Sequence, residues 1–212
     1  MSAYGGPNIP TNGLVMLWDV ADGNSYPGTG TTIYDLSGNN NNGSFVNAIT
    51  YDSATNMGFL ETNSTTSYIY GGPNLYSIAH SVICGSRYRP STTGGRVVTS
   101  NGGNWLLGHW GAGVGRYYGD TWVYQTAGET NNWHIHACAS NRSNSASYYV
   151  DGVNKTTVAS NVVGPSQFAI GAWNGTSEFS YAQLSFLMAY NRVLTDAEMQ
   201  QIFSAYRGRF SL

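Results

Sequence analysis

The sequence predicts an all-β protein, a β-sandwich or jelly roll, with one helix near the C-terminus. Three observations carry this expectation. Short strand-like runs are separated by turn residues at intervals of roughly eight to twelve residues, with no alternating helices. The 212 residues include 27 glycines, and 14% are aromatic. Only 9% are charged, against roughly 25% in an average soluble protein. Low charge alone also fits disorder, but disordered chains are poor in aromatics. Here 16 tyrosines, 7 phenylalanines and 6 tryptophans argue for an aromatic-rich core.

Taken in chain order, residues 1–12 are rich in Gly, Pro and Asn, lack periodicity and read as an extended arm. Residues 13–212 read as one domain. Gly13–Val20 ("GLVMLWDV") is an apolar run ending at an aspartate, the pattern of a buried sandwich strand. Residues 21–32 are dense in turn formers. Tyr34–Phe45 ("YDLSGNNNNGSF") holds four consecutive asparagines. Asp35 and Ser37 can accept from the backbone ahead of them, and Gly38, Gly43 and asparagine tolerate positive φ, so the tract reads as a self-bonded connection. Residues 77–89 ("SIAHSVICGSRYR") are long enough for a full strand, with Ile78, Val82 and Cys84 on one parity. Further strand-like runs are "GRVVTS", "NWLLGHWG", "VGRYYGDTWVYQT" and "NWHIHACASN". In "ASYYVDGVNKTTV" a hairpin is expected at Asp151-Gly152. "SQFAIGAW" and "SYAQLSFLMAYNRV" complete the set.

One helix, about 196–207, is predicted from capping and spacing. Thr195 and Glu198 form a capping box. Leu194 and Met199 are placed as a hydrophobic staple, and Met199, Ile202, Phe203 and Tyr206 recur on one face. Gly208 stands where a left-handed C-cap belongs, leaving "RFSL" as a short tail.

Composition excludes several functions. The formal net charge is −2, and the nine Lys and Arg residues are scattered, so phosphate neutralisation and nucleic-acid binding are not expected. No apolar run reaches the roughly 18 residues of a membrane span. The first residues lack the basic and apolar regions of a signal peptide, which points to synthesis in a cytoplasm. Cys84 and Cys138 are too few for a disulfide framework and read as buried free thiols, a bridge between neighbouring strands being the alternative.

The combination of "SYPGTGTTIYDLSGNNNNGSF", "NNWHIHACA", "YYVDG", "FAIGAW" and "AYNRVLTDAEMQQIFSAYRGRF" resembles the laminin-G-like, concanavalin A-like domain. More narrowly, it resembles versions of that domain in bacteriophage virion proteins. The resemblance runs from about Gly13 to Phe210. Ala182 departs from it, standing where the family usually has glycine. The resemblance implies a two-sheet antiparallel jelly-roll sandwich with binding or structural roles more often than catalysis, although fold does not fix function.

Four kinds of chemistry bear on these residues. Glycoside hydrolysis needs two carboxylates facing one cleft, and glucanases of this shape place them in a Glu-x-Asp-x-x-Glu strand pattern that is absent here. For metals, His134 and His136 share a strand face without a third ligand. Asp19, Asp22, Asn24 and Asp35 supply oxygens without the spacing of a calcium loop, and Asx turns account for them. No metal and no cofactor are therefore expected. No G-x-S-x-G nucleophile elbow occurs. Sugar binding pairs an aromatic face with a few polar groups, and the stretch from Asn104 to Tyr124 supplies Trp105, Trp110, Tyr117, Tyr118 and Trp122, with Tyr124, His109, Arg116 and Asp120 interleaved. Core or subunit contacts would explain the same aromatics.

The leading expectation is a non-enzymatic phage virion structural protein, a capsid decoration or cement protein on the particle surface. Its partners would be the major capsid protein or other virion proteins, and it would form a homo-oligomer such as a trimer. The alternative is a glycan-binding adhesin module on a tail fibre or capsid, reading a host-surface glycan through the Trp105–Tyr124 aromatics. A glucanase-like hydrolase stands third.

Overall fold

A computed structural model describes residues 8–55, 58–125 and 131–212. In chain order its strands are β1 (Leu14–Asp19), β2 (Thr32–Ile33), β3 (Gly43–Val46), β4 (Thr50–Asp52), β5 (Phe59–Glu61), β6 (Tyr68–Gly71), β7 (His80–Tyr88), β8 (Arg96–Ser100), β9 (Trp105–Trp110), β10 (Gly113–Gly119), β11 (Trp122–Tyr124), β12 (His134–Ser140), β13 (Ala146–Val150), β14 (Val153–Val158), β15 (Phe168–Ile170) and β16 (Ala182–Tyr190), followed by helix α1 (Asp196–Tyr206). They build two antiparallel sheets. The first has the order β14-β13-β12-β7-β16-β5-β4, with β1 also paired to β16; the second has the order β11-β10-β9-β8-β15-β6-β3-β2. The fold is a jelly-roll-like β-sandwich, as the residue pattern predicts.

Alternation along each strand sends one set of side chains between the sheets and the other set outward. The interior layer joins Met16, Trp18, Ile33, Ile69, Val82, Cys84, Tyr88, Trp105, Leu107, Tyr117, Tyr148, Phe168 and Leu187. Phe168 meets Trp18 and Trp105 edge-on, with centroids 6.5 and 5.9 Å apart. Edge-on geometry suits rings whose faces are negative and edges positive.

A second apolar cluster lies on the outward face of the first sheet, where Ile83, Ile135, Ala137, Phe186, Met188 and Tyr190 meet Met199, Ile202, Ala205 and Tyr206 of α1. The helix forms for the predicted reasons: the Thr195–Glu198 capping box is complete, and Leu194 and Met199 are both buried. Its end differs from expectation. Gly208 is not a left-handed cap, because the chain tightens into a 3-10 turn over Arg207–Arg209 instead. That turn carries Arg209 inward, where its guanidinium meets both oxygens of Asp19 at 2.7 and 2.6 Å. Phe210 stacks on Trp133 with centroids 5.1 Å apart, so the tail docks on its own sheet.

Other expectations are refined. Ile78 is 42% exposed and precedes β7, which starts at His80. The Asp151-Gly152 hairpin forms, with φ of +50° and +77°. Within the asparagine tract, Asp35 Oδ1 accepts from the amide of Ser37 (2.8 Å) and also from Leu17 of β1 (2.9 Å), while Asn41 Nδ2 donates to Val15 O at 2.7 Å. The tract is thus bonded to itself and to β1. Residues 8–12 of the predicted arm contact the sandwich: Pro10 O accepts from Tyr190 OH at 2.9 Å and Asn12 O from Arg192 Nε at 2.8 Å. Residues 1–7 lie outside the described residues. Cys84 and Cys138 are both buried and free, and burial pushes the Cys84 thiol up to about 12.

Candidate functional site

The outward face of the second sheet carries a cleft of about 200 Å³ lined by Arg96, Asn104, Leu106, Trp110, Tyr118 and Trp122. Strand alternation explains its make-up. On β9, Trp105 and Leu107 turn into the core, so Leu106 and Trp110 turn out. On β10, Tyr117 faces inward against Tyr148 (6.2 Å), and Tyr118 faces out. The hairpin joining β10 to β11 pairs Tyr118 with Trp122, and Asp120, at φ +58°, makes the reversal. The three outward rings form one surface. Tyr118 and Trp122 meet edge-on at 5.0 Å, and Trp110 and Trp122 lie 5.6 Å apart with planes inclined by 50°. Trp110 is 38% exposed.

The floor is polar. Arg96, 4% exposed, donates from Nε to Glu178 Oε2, and its Nη1 reaches Asn104 Oδ1 at 2.9 Å. Its guanidinium also lies 4.5 Å over the Trp173 ring. Burial lowers the Arg96 pKa, and Glu178 opposes that effect. The second Glu178 oxygen accepts from Trp110 Nε1 at 3.0 Å, so one carboxylate fixes both the cation and the indole.

This junction requires Gly95. At φ +63°, a Cβ there would come within 2.2 Å of Glu178 O and 2.3 Å of Phe179 O. Without one, the chain passes close enough for Arg96 N to donate to Glu178 O at 2.9 Å and for Ser180 Oγ to donate to Arg96 O at 2.7 Å. Glu178 itself sits at φ +50°, a costly backbone state for a non-glycine residue.

Of the five predicted sugar-contacting residues, three converge here: Trp110, Tyr118 and Trp122. Trp105 and Tyr117 are a correction. Both are fully buried, because strand parity turns them into the core. Tyr124 also packs on the core, stacked on Tyr148 at 5.2 Å. His109 is buried between the sheets, its ring 4.9 Å from Tyr88 and 4.8 Å from His136. The sequence reading did not single out Arg96, Asn104, Trp173 or Glu178 as site residues. The available signal was an arginine beginning the strand-like run "RVVTS"; Glu178, 82 residues away, carried none.

The remaining candidates have internal roles. His134 Nδ1 lies 2.6 Å from Asp151 Oδ2, and His136 Nδ1 lies 2.8 Å from Tyr148 OH. Asp19 is engaged by Arg209, Asp22 bonds Asn24, and Asp35 bonds backbone amides. Among the described residues, no three His, Cys, Asp or Glu side chains converge as a metal site.

No family model matches the chain, and no curated protein matches it in sequence. Its architecture is nevertheless shared with solved structures. A Trypanosoma rangeli sialidase in complex with sialic acid is 16% identical with a TM-score of 0.70, over 98% of this chain and 35% of that one. Domain 4 of AbnA, an extracellular arabinanase of family GH43 from Geobacillus stearothermophilus, in complex with arabinotriose, is 15% identical with a TM-score of 0.64, over 90% and 98% of the two chains. A structure of botulinum neurotoxin type C, described by its entry into cells through two ganglioside molecules, is 10% identical with a TM-score of 0.66, over 92% and 52%. The chain thus spans about a third of the sialidase and about half of the toxin chain. At these identities the likeness establishes the fold.

Proposed function

We propose that this protein is a glycan-binding module that uses the outward face of the second sheet. The single observation that carries this is the Trp110–Trp122–Tyr118 surface, left open beside the polar Arg96–Asn104–Glu178 floor. Sugar recognition needs apolar faces for ring C–H groups and fixed polar groups for hydroxyls, and the cleft offers both. The cleft is smaller than the roughly 300–1,000 Å³ typical of drug-sized ligands, which suits a single sugar ring with the rest of the chain lying across the face. A domain of the same architecture in complex with arabinotriose, matched over nearly its whole length, adds support.

We take the action to be binding without bond cleavage. Glu178 has one oxygen on Arg96 and the other on Trp110, and Asp120 accepts from Tyr76 OH at 3.2 Å. The capsid-decoration reading rests on sequence resemblance alone, whereas the glycan reading rests on geometry. A glycan array followed by calorimetry on Trp110→Ala and Trp122→Ala tests it. The expected result is saturable binding that each variant weakens by about 10- to 100-fold, the range of a hot-spot aromatic. Binding that survives both substitutions would refute this site.

A further inference from the structure

We infer that the cleft selects uncharged sugars and discriminates against sialylated and uronate-bearing glycans. This rests on the glycan-binding reading and specifies its ligand class. The lining residues contain one charged group, Arg96. Sugar carboxylates are commonly held by a guanidinium whose charge is free to meet them, bidentately where geometry allows. Here that charge is already answered, because Glu178 holds Nε of Arg96. Nη1 is directed to Asn104 Oδ1 at 2.9 Å, with Thr99 Oγ1 and Trp105 O each at 3.4 Å.

Asp120 and Arg116 do not line the cleft. Asp120 sits in the turn between Tyr118 and Trp122, and its carboxylate accepts from Tyr76 OH at 3.2 Å. The Arg116 guanidinium lies 2.4 Å from where a Gly113 Cβ would stand. One guanidinium, paired with the Glu178 carboxylate, thus sets the charge at the site. An anionic sugar entering it would lose hydration and meet like charge at short range. A neutral ring loses little, since its hydroxyls can both donate to carboxylate oxygens and accept from guanidinium and amide groups.

Glu178 also orients Trp110 through the 3.0 Å bond to Nε1, so it acts as a positioning residue as well as a charge filter. Replacing it with glutamine keeps an acceptor for the indole and exposes the Arg96 charge. The expected consequence is a changed preference, and a glutamine variant that simply lost all binding would be behaving as a structural residue only.

The test uses the unmodified protein on an array of neutral arabino-, xylo-, gluco- and galacto-oligosaccharides, each core also presented with a terminal sialic acid or uronate. The expected result is binding to at least one neutral core, at least about tenfold tighter than to its anionic derivatives. Anionic derivatives that bind as well as or better than their cores would overturn the charge rule while leaving the glycan reading intact. No binding to any sugar would overturn the glycan reading itself. Glu178→Gln is expected to shift the neutral-to-anionic ratio toward the anionic form by about tenfold. Raising salt to about 1 M, where the screening length is about 3 Å, is expected to narrow the ratio. A ratio unmoved by salt would contradict the charge rule even if Glu178→Gln failed to fold.

Discussion

On the outward face of the first sheet, Trp133, Phe186 and Tyr190 are covered by α1 and the turn that follows it. On the outward face of the second, Trp110, Tyr118 and Trp122 line a cleft that no helix among the described residues covers. Both faces are aromatic, and both sets arise from the same strand alternation. What separates them is the C-terminal segment. The capped helix and the Arg209–Asp19 pair give the first face a roof; among the described residues, the second face has only the Trp173–Glu178 loop along one side of its cleft. Aromatic content therefore does not mark a binding face. On the glycan-binding proposal, the mark is an aromatic surface left open among the described residues, beside polar groups already fixed in place.

The largest effect expected from breaking this contrast lies in the roof. Asp19→Ala would leave Arg209 buried without its carboxylate, at a cost of about 3–5 kcal/mol, read as a lower midpoint in urea unfolding. Sugar affinity of the folded fraction should be unchanged. Next comes a pair that differs in strand parity. Trp105→Ala should cost about 3–5 kcal/mol of stability through lost packing. Trp110→Ala should cost about 1 kcal/mol or less, with its effect appearing in sugar affinity instead. Equal destabilisation by the two would contradict the assignment of Trp105 to the core and Trp110 to the site.

Acid should reveal the layer between the faces. Burial lowers the pKa of His80 to about 4 and of His109 to about 3, and depresses His136 as well. Unfolded histidines take up protons near pH 6.5, whereas these three stay neutral in the folded chain. Their contribution to stability is therefore complete above pH 6.5 and falls as pH drops toward the folded values. Between pH 6.5 and 5.5 the expected loss is about 1 kcal/mol per histidine. Carboxylates held low, such as Glu198 at about 2, act only below their unfolded values near 4.3, so this window isolates the histidines. A flat urea midpoint across it would be inconsistent with their neutral burial.

Gly95→Ala is the substitution expected to change stability and binding together. The added Cβ would collide with Glu178 O and sit at φ +63°, costing about 1–3 kcal/mol. It should weaken sugar binding along with stability, because Arg96 and Glu178 can no longer approach. Binding at full strength would show that their alignment is dispensable.

Much of the architecture was legible in the sequence. Turn spacing and strand alternation gave the sandwich, and Thr195 with Glu198 gave the helix start. The helix end was not legible: Gly208 suits a left-handed cap, but burying Arg209 against Asp19 favoured a 3-10 turn. For the site, composition located the Asn104–Tyr124 stretch. Parity decides between Trp105 and Trp110, yet parity alone cannot say which face is roofed. That depends on where α1 docks. The floor was least legible, because Arg96 and Glu178 meet only when two distant segments run side by side at Gly95.

The most direct test of the account is a sugar titration followed through the indole N–H resonances of the six tryptophans. Neutral oligosaccharides such as arabinotriose and xylotriose would be the first probes. The Trp110 and Trp122 signals are expected to move with saturating dose, while those of Trp18, Trp105 and Trp133 stay in place. Shifts centred on Trp133, or no shift at Trp110 and Trp122 with a sugar that binds, would contradict it.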